Sequence, residues 1–374
     1  MSPARHDLRS PLAWICAAVL VTGLGSCDRE PGRETTEPAP TASTPRTPAD
    51  AGTPAPSAAA DRGPVTLGFA GDDHFEDDLA ALLRRQVRGP ALDRSLVTAL
   101  RRPDLMMVNL ETTLTGRGRP QDKEFTFRAP ARALDAVDAW GVDLVSLANN
   151  HAVDYGRVGL RDTLAAVRDS PVPVVGIGRD ADAAFRARTF AIRGTTVAVL
   201  AAATRREPTS RFWSAGADSP GIAAATRLRG RLLEEVRRNA GRADVVVVYL
   251  HWGTEYQRCP NPKQARYARA ISAAGADVVV GSHAHVLQGS GWHRGTYVGY
   301  GLGNFLWYNQ NSVGTGILEL TLRDGHVVGD SFRPARIRAD GRPRLLDGRP
   351  RAAAIARWQR LRGCAELAAG PPVP

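Results

Sequence analysis

At 374 residues the chain is long enough to bury one large core or two smaller ones. Its net charge of +11 points first to a polyanionic partner, but only Lys123 and Lys263 are lysines, the arginines are spread over the whole chain, and aromatic residues make up 6%. A nucleic-acid groove clusters its cations and interleaves aromatic rings, so nucleic acid is not expected as a partner, whereas an anionic lipid surface or an anionic polymer is still open.

The first 27 residues read as an export signal. Arg5 and Arg9 precede a mostly apolar run over 12–24, which is too short for a stable transmembrane helix and suits a signal core. The run ends Leu24-Gly25-Ser26-Cys27, which resembles a bacterial lipobox and makes Cys27 the expected lipidation site. An ordinary cleaved signal and an uncleaved anchor are the alternatives, and all three put the folded part outside the cytoplasm. Residues 28–64 are rich in Pro, Ala, Thr, Ser and Gly with almost no large apolar side chains, the composition of an extended, unordered tether. Of the other cysteines, Cys16 lies in the signal, while Cys259 and Cys364 remain in a compartment that permits disulfides; their separation in space cannot be read from sequence.

Order is expected from 65 onward. The apolar runs predict strands at 65–70, 105–110, 144–148, 172–175, 190–192, 197–202, 245–250 and 278–280. Helical periodicity fills the gaps at 76–102, 131–140, 158–168, 226–239 and 263–274. After Gly281 the texture changes to β-like runs at 297–300, 316–322 and 327–332, with a helix near 352–367. Strands alternating with helices predict an α/β fold with a largely parallel sheet covered on both faces, and the β-rich part adds a second sheet or completes a sandwich. The main domain is read as 65–322, with a C-terminal extension over 323–374 packing on it. Three segments echo one another: Gly141-Val142-Asp143-Leu144-Val145, Arg242-Ala243-Asp244-Val245-Val246 and Gly275-Ala276-Asp277-Val278-Val279. Each leaves a helix, turns at an aspartate, enters a strand and delivers a polar loop containing histidine.

Five such loops carry metal-type ligands, and in open α/β sheets sites form beyond the carboxyl ends of the strands. Asp72-Asp73-His74 follows the first strand; its alternative is an N-cap by Asp72 or Asp73 on the next helix. Asn109 and Glu111 close the second strand. Asn149-Asn150-His151 follows 144–148, where two amides and an imidazole after a buried strand are costly without a partner. His251 ends 245–250, and His283 and His285 follow 278–280. Five histidines, two carboxylates and an asparagine amide exceed what one tetrahedral ion accepts, and they suit two divalent ions (manganese, zinc or iron) sharing Glu111. Such a pair generates a nucleophile at neutral pH by lowering the pKa of water to about 7, and it neutralises charge on a phosphoryl group.

The order of these loops resembles the calcineurin-like metallophosphoesterases, and the wording is similar to the CapA family of capsule-synthesis proteins linked to poly-γ-glutamate. The segments are Ala70-Gly71-Asp72, Val108-Asn109-Leu110-Glu111, Ser146-Leu147-Ala148-Asn149-Asn150-His151 with Asp154-Tyr155-Gly156, His251-Trp252-Gly253-Thr254-Glu255-Tyr256, Gly281-Ser282-His283-Ala284-His285-Val286-Leu287-Gln288 and Gly301-Leu302-Gly303-Asn304-Phe305. The resemblance implies a four-layer α/β/β/α sandwich. It implies one metal held by Asp72, His74, Glu111 and His285, and another held by Glu111, Asn150, His251 and His283. His151 would be the catalytic, non-ligand imidazole. Asn109, Asn149, Asp154, Glu255 and Asn304 fill the other polar positions of these motifs and are expected on the substrate side. The implied function is capsule or poly-γ-glutamate biosynthesis with a two-metal hydrolase site, or else a non-catalytic role in assembling an envelope polyanion. An anionic polymer or phosphoester would be the substrate, and membrane proteins of capsule synthesis the partners. The chain departs from the phosphoesterase pattern at Asn109-Leu110-Glu111, where those enzymes carry Gly-Asp-x-x-Asp, and at Asn149, where they carry glycine. It departs from the capsule family at Ser282, where histidine is common, and at Tyr300-Gly301, where Tyr-Ser is common.

Overall fold

Apolar runs closed by Gly or Asp set the strands, and the computed structural model describes residues 63–84, 92–308 and 312–372. The export signal, Cys27 and all but the last two residues of the tether lie outside the described residues. In chain order the main elements are β1 (Val65–Asp73), α1 (Arg94–Leu100), β2 (Leu105–Leu110), α2 (Ala133–Trp140), β3 (Leu144–Ser146), α3 (Gly156–Arg168), β4 (Val174–Val175), β5 (Arg188–Ile192), β6 (Thr195–Ala203), α4 (Arg229–Ala240), β7 (Val245–His251), α5 (Pro262–Ala273), β8 (Val278–Ser282), β9 (Ser290–His293), β10 (Thr296–Gly299), β11 (Asn304–Leu306), β12 (Gly314–Arg323), β13 (His326–Ile337), β14 (Pro343–Leu345) and α6 (Gly348–Arg360).

The strands form two main sheets. One has the order β14-β13-β12-β1-β2-β3-β4, with β11 also paired to β1; the other has the order β9-β10-β8-β7-β6-β5. β1 to β4 run parallel, as do β6, β7, β8 and β10, while β12, β13, β5 and β9 join antiparallel.

Side-chain alternation stacks these sheets into layers. In β2, Leu105 and Met107 face the second sheet, meeting Val247 and Tyr249 of β7 in one apolar layer. Met106 and Val108 point the other way, under Leu96, Leu134, Val137 and Trp140. On the far side, Val246 and Val248 of β7 pack beneath Leu232 and Val236 of α4 and Ile271 of α5. Both faces of these strands are therefore dry, which is why they read as unbroken apolar runs. Each buried aliphatic side chain contributes roughly 1.5–3 kcal/mol. The architecture is the four-layer α/β/β/α sandwich.

The recurrent aspartates have a defined job. Asp143, Asp244 and Asp277 each precede a strand and accept a hydrogen bond from the amide of a neighbouring strand, at Met106, Thr196 and Val246 (2.7–2.8 Å). Asp104 does the same for Thr66. They pin strand register and so fix where each strand's carboxyl end emerges.

The helix expected over 76–102 is instead a short turn at Asp77–Leu79, a helix at Ala80–Arg84 and α1, with 85–91 outside the described residues. Neither Asp72 nor Asp73 caps it: both lie in β1, and the turn's N-cap position is Glu76. The C-terminal residues add β14 beside β13, and Trp358 of α6 stacks on Phe332 (5.0 Å, 14°). A disulfide joins Cys259 to Cys364, with Cα atoms 5.6 Å apart. Among the described residues no helix is long and apolar enough to cross a membrane.

Candidate metal centre

Parallel strands place their carboxyl ends on one rim, and the second sheet brings its own rim to the same place. Asp72 lies in β1, past a register irregularity that falls between Phe69 and Asp72. A bulge of this kind re-aims the side chains that follow it. Close packing is enforced by glycine: a Cβ on Gly71 would sit 1.7 Å from the Gly303 carbonyl oxygen, and one on Gly281 would sit 2.2 Å from the Trp252 indole nitrogen. His283 and His285 themselves adopt left-handed backbone angles, φ 86° and 56°. That geometry strains non-glycine residues, and such strain concentrates at functional sites.

Glu111 is fully buried, and neither of its carboxylate oxygens has a hydrogen-bond partner. His251 Nε2 lies 3.3 Å from Glu111 Oε1 and His151 Nε2 lies 3.8 Å from it. The same His251 nitrogen is 2.5 Å from Asn150 Oδ1 and 3.0 Å from His283 Nδ1, and the other nitrogen of His283 is buried without a hydrogen-bond partner. Asp72 accepts from the Asn109 amide (2.8 Å) and the His283 backbone (2.9 Å), with His285 Nδ1 3.7 Å away. These side chains form two groups that could each hold a metal ion: Asp72, Glu111 and His251, and Glu111, His283 and His285. Glu111 is common to both.

Burial and then the Asp72 charge push the Glu111 carboxyl well above its ordinary range. Burial, and after it the His251 and His285 rings, hold His283 well below its usual value, and burial also lowers His251. Burial thus disfavours the charged forms of His283, His251 and the Glu111 carboxyl, and a bound cation would favour the ionised acid. The donor set fits divalent ions.

His151 stands beside the groups. Its Nδ1 is 2.6 Å from Asp154 Oδ2, and its ring stacks on Phe127 at 4.0 Å. Burial lowers its pKa to about 4, against the opposing pull of Asp154.

A family model for the bacterial capsule synthesis protein PGA_cap matches residues 66–309. The chain belongs to that family. Every residue of the two candidate metal groups lies inside the matched span. Among curated relatives of this PGA_cap chain, the PGA biosynthesis protein CapA of Bacillus subtilis (strain 168) is 31% identical over 258 residues, covering 64% of this chain and 65% of its own. The capsule biosynthesis protein CapA of Bacillus anthracis is 33% identical over 198 residues, covering 50% and 45%. The chain therefore spans less than two thirds of the length of either relative. Solved structures similar to it include a hypothetical protein from Thermus thermophilus (20% identity, TM-score 0.45, covering 72% of this chain and 98% of that one) and the 5'-nucleotidase of Candida albicans (11%, TM-score 0.44, covering 80% and 57%).

In this PGA_cap chain several residues stand elsewhere than the resemblance implies. His74 belongs to neither cation group: its two ring nitrogens face the amides of Glu76 (3.0 Å) and Tyr308 (3.1 Å), and its ring stacks on Phe127. The two cation groups place His251 with Asp72, and His283 with His285. Asp154 is fully buried rather than on a substrate surface; besides His151 it binds Lys123 Nζ (2.7 Å) and the Phe127 amide (2.7 Å). Asn149 is equally buried, donating to Asn109 Oδ1 and the Leu110 carbonyl, so it locks β2 to the loop after β3. Asn109 donates its own amide to Asp72. Asn304 pairs with His285 Nδ1 (2.7 Å) and orients that ring. Glu255 alone of the expected substrate-side residues is exposed, 3.7 Å from His283 Nε2.

Sequence reasoning passed over Lys123, Phe127 and Glu207. Glu207 is largely buried with an unpartnered oxygen, and burial raises its pKa. Lys123 also donates to the Asn150 carbonyl (2.8 Å), tying the ligand loop to the His151 pair. The available signal was its rarity, as one of two lysines among 49 basic residues.

Proposed function

We propose that this chain is a membrane-tethered, extracytoplasmic protein of capsule or poly-γ-glutamate biosynthesis, whose centre holds two divalent ions and hydrolyses a phosphoester or related linkage of an anionic polymer. One observation carries the reading: Glu111 keeps two bare carboxylate oxygens inside a shell of imidazoles. A buried charge without donors costs several kcal/mol unless a cation compensates it. The relatives named for PGA and capsule biosynthesis support the cellular role, and the lipobox-like segment at Cys27 supports the tether.

Asp72, Glu111, Asn150, His251, His283 and His285 would hold the ions; manganese, zinc and iron all suit this mixed nitrogen and oxygen set. Divalent ions there supply charge neutralisation and nucleophile activation. The protein's own contribution centres on His151. Asp154 takes its Nδ1 side, and Lys123 and the Phe127 amide hold Asp154, so Nε2 is the nitrogen aimed into the centre. Neutral when alone, His151 gains a proton when a phosphoryl charge comes within reach, because a nearby opposite charge favours the imidazolium. It then donates that proton at Nε2 to the leaving oxygen.

A second reading keeps the ions but not turnover: a non-catalytic accessory that binds the polymer's acidic groups. The replacement of the phosphoesterase Gly-Asp-x-x-Asp by Asn109-Leu110-Glu111 favours it, since the longer acid changes the reach to the ions. Elemental analysis of the protein, together with a phosphodiester panel on wild type and His151→Ala, separates the two. Turnover lost with ion content retained supports the hydrolase. Ions present with no turnover in any assay supports the accessory reading.

A further inference from the structure

The loops that carry the metal centre continue outward into a basic cleft. β6 ends at Ala203, and the Thr204 amide donates to the His251 carbonyl (3.0 Å). Arg205 and Arg206 follow directly. β7 leads through Trp252 to Gly253 and Thr254, and the first turns of α4 and α5 bring Arg229, Lys263 and Arg266. Two adjoining cavities, about 230 and 470 Å³, lie among these segments, and Arg206 and Lys263 line both.

Some cations on this surface are paired, as Arg117 is with Asp162, Arg231 with Asp182 and Glu235, and Arg362 with Asp330. In the cleft Arg206, Arg229 and Arg266 have no acidic partner among the described residues. Arg229 and Lys263 lie over the ring of Tyr267, at 5.4 and 5.8 Å. Lys263, the second of the two lysines, donates to the Thr204 carbonyl (2.6 Å). Burial, then Arg206, Arg205 and Arg266, pull its pKa down. Like charges gathered around a concavity repel one another and focus an attractive field on an anion.

A carboxylate of the chain itself stands at the neck of the cleft. The Glu255 carboxylate lies 3.9 Å from Arg205 and 3.7 Å from His283 Nε2, bridging the basic cleft and the metal centre. Arginine forks match carboxylates and phosphates in a two-point geometry, and the carboxylate is the acid that the polymer reading above supplies.

We infer that Arg205, Arg206, Arg229, Lys263 and Arg266 form a binding subsite for successive carboxylates of a linear polyacid, which it presents to the metal centre past Glu255. This deepens the polymer reading above and rests on it for the polymer's place at the centre, but binding is measured separately from ions and turnover. The test is binding of a fluorescent oligo-glutamate to the full chain after chelation, with uncharged oligo-glutamine and polyphosphate of equal length as further probes. Arg206→Glu/Arg266→Glu is expected to weaken oligo-glutamate binding at least about tenfold, to flatten its salt dependence, and to leave thermal stability and reloaded ion content unchanged. Reversing two exposed arginines on α6 (Arg349→Glu/Arg351→Glu) is expected to leave binding unchanged. The proposal is overturned if the cleft variant binds like wild type, if the α6 variant loses as much, if oligo-glutamine binds equally well, or if polyphosphate binds more tightly than oligo-glutamate. Loss of ions or turnover in wild type would instead count against the hydrolase reading and leave this binding result standing.

Discussion

Glu111 shows what a single residue reveals in sequence and what it hides. Its place at the end of an apolar run marked it as a bridging acid, and the structure puts it in both candidate ion groups. Its bare oxygens were not legible, because they depend on which neighbours fail to donate. Without ions that carboxylate is a buried liability, so Glu111→Gln should stabilise the chelated protein by about 1–3 kcal/mol while removing ion uptake. Thermal melts of the chelated forms check this; an unchanged or lower midpoint goes against it. His151→Ala should leave ion content intact and cut any turnover by roughly 10²–10⁴. His74 depends on its neighbours in the same way. Asp-x-His spacing places an imidazole near the site, but the backbone after β11 offers Tyr308's amide to one of its nitrogens.

His151 also gives a pH signature. Its folded pKa of about 4 lies below the unfolded value near 6.5. Between those values the unfolded chain takes up a proton that the folded one refuses, so stability is complete above about pH 6.5 and falls as pH drops toward 4. The effect is on the order of 3 kcal/mol. Denaturation of the chelated protein against pH should show this slope in wild type and a shallower one in His151→Gln; equal slopes would refute the assignment.

At the scale of elements, the apolar runs and the three aspartate-led connections made the parallel strands legible, since period and turn chemistry are local. What was missing needed partners distant in sequence. β9, β11 and β14 are three or four residues long and owe their existence to the strands beside them. The Cys259–Cys364 bond closes a separation of 105 residues and ties the segment after Glu255 to the C-terminal helices. Cys364→Ser should therefore lower stability by about 2–4 kcal/mol, readable as a drop in the denaturation midpoint. No drop would mean that the packing of Trp358 on Phe332 alone secures that region.

For the molecule as a whole, the sandwich matters because it brings two rims together. Asp72, Asn109, Glu111 and Asn150 come from one sheet, while His251, His283 and His285 come from the other. The order of the loops in sequence announced convergence, but the split of ligands between sheets follows only from stacking them. The same stacking makes the arginine-rich composition locally meaningful, because the loop after β6 and the starts of α4 and α5 collect cations that look scattered along the chain. The central claim is that imidazoles and acids from both sheets enclose divalent ions around Glu111. Its most direct test is elemental analysis of the purified protein, reloaded with manganese, zinc or iron and dialysed, beside Glu111→Gln. About two divalent ions per wild-type chain and their loss in the variant is the predicted result; no retained ion in wild type, or equal content in both, would contradict it.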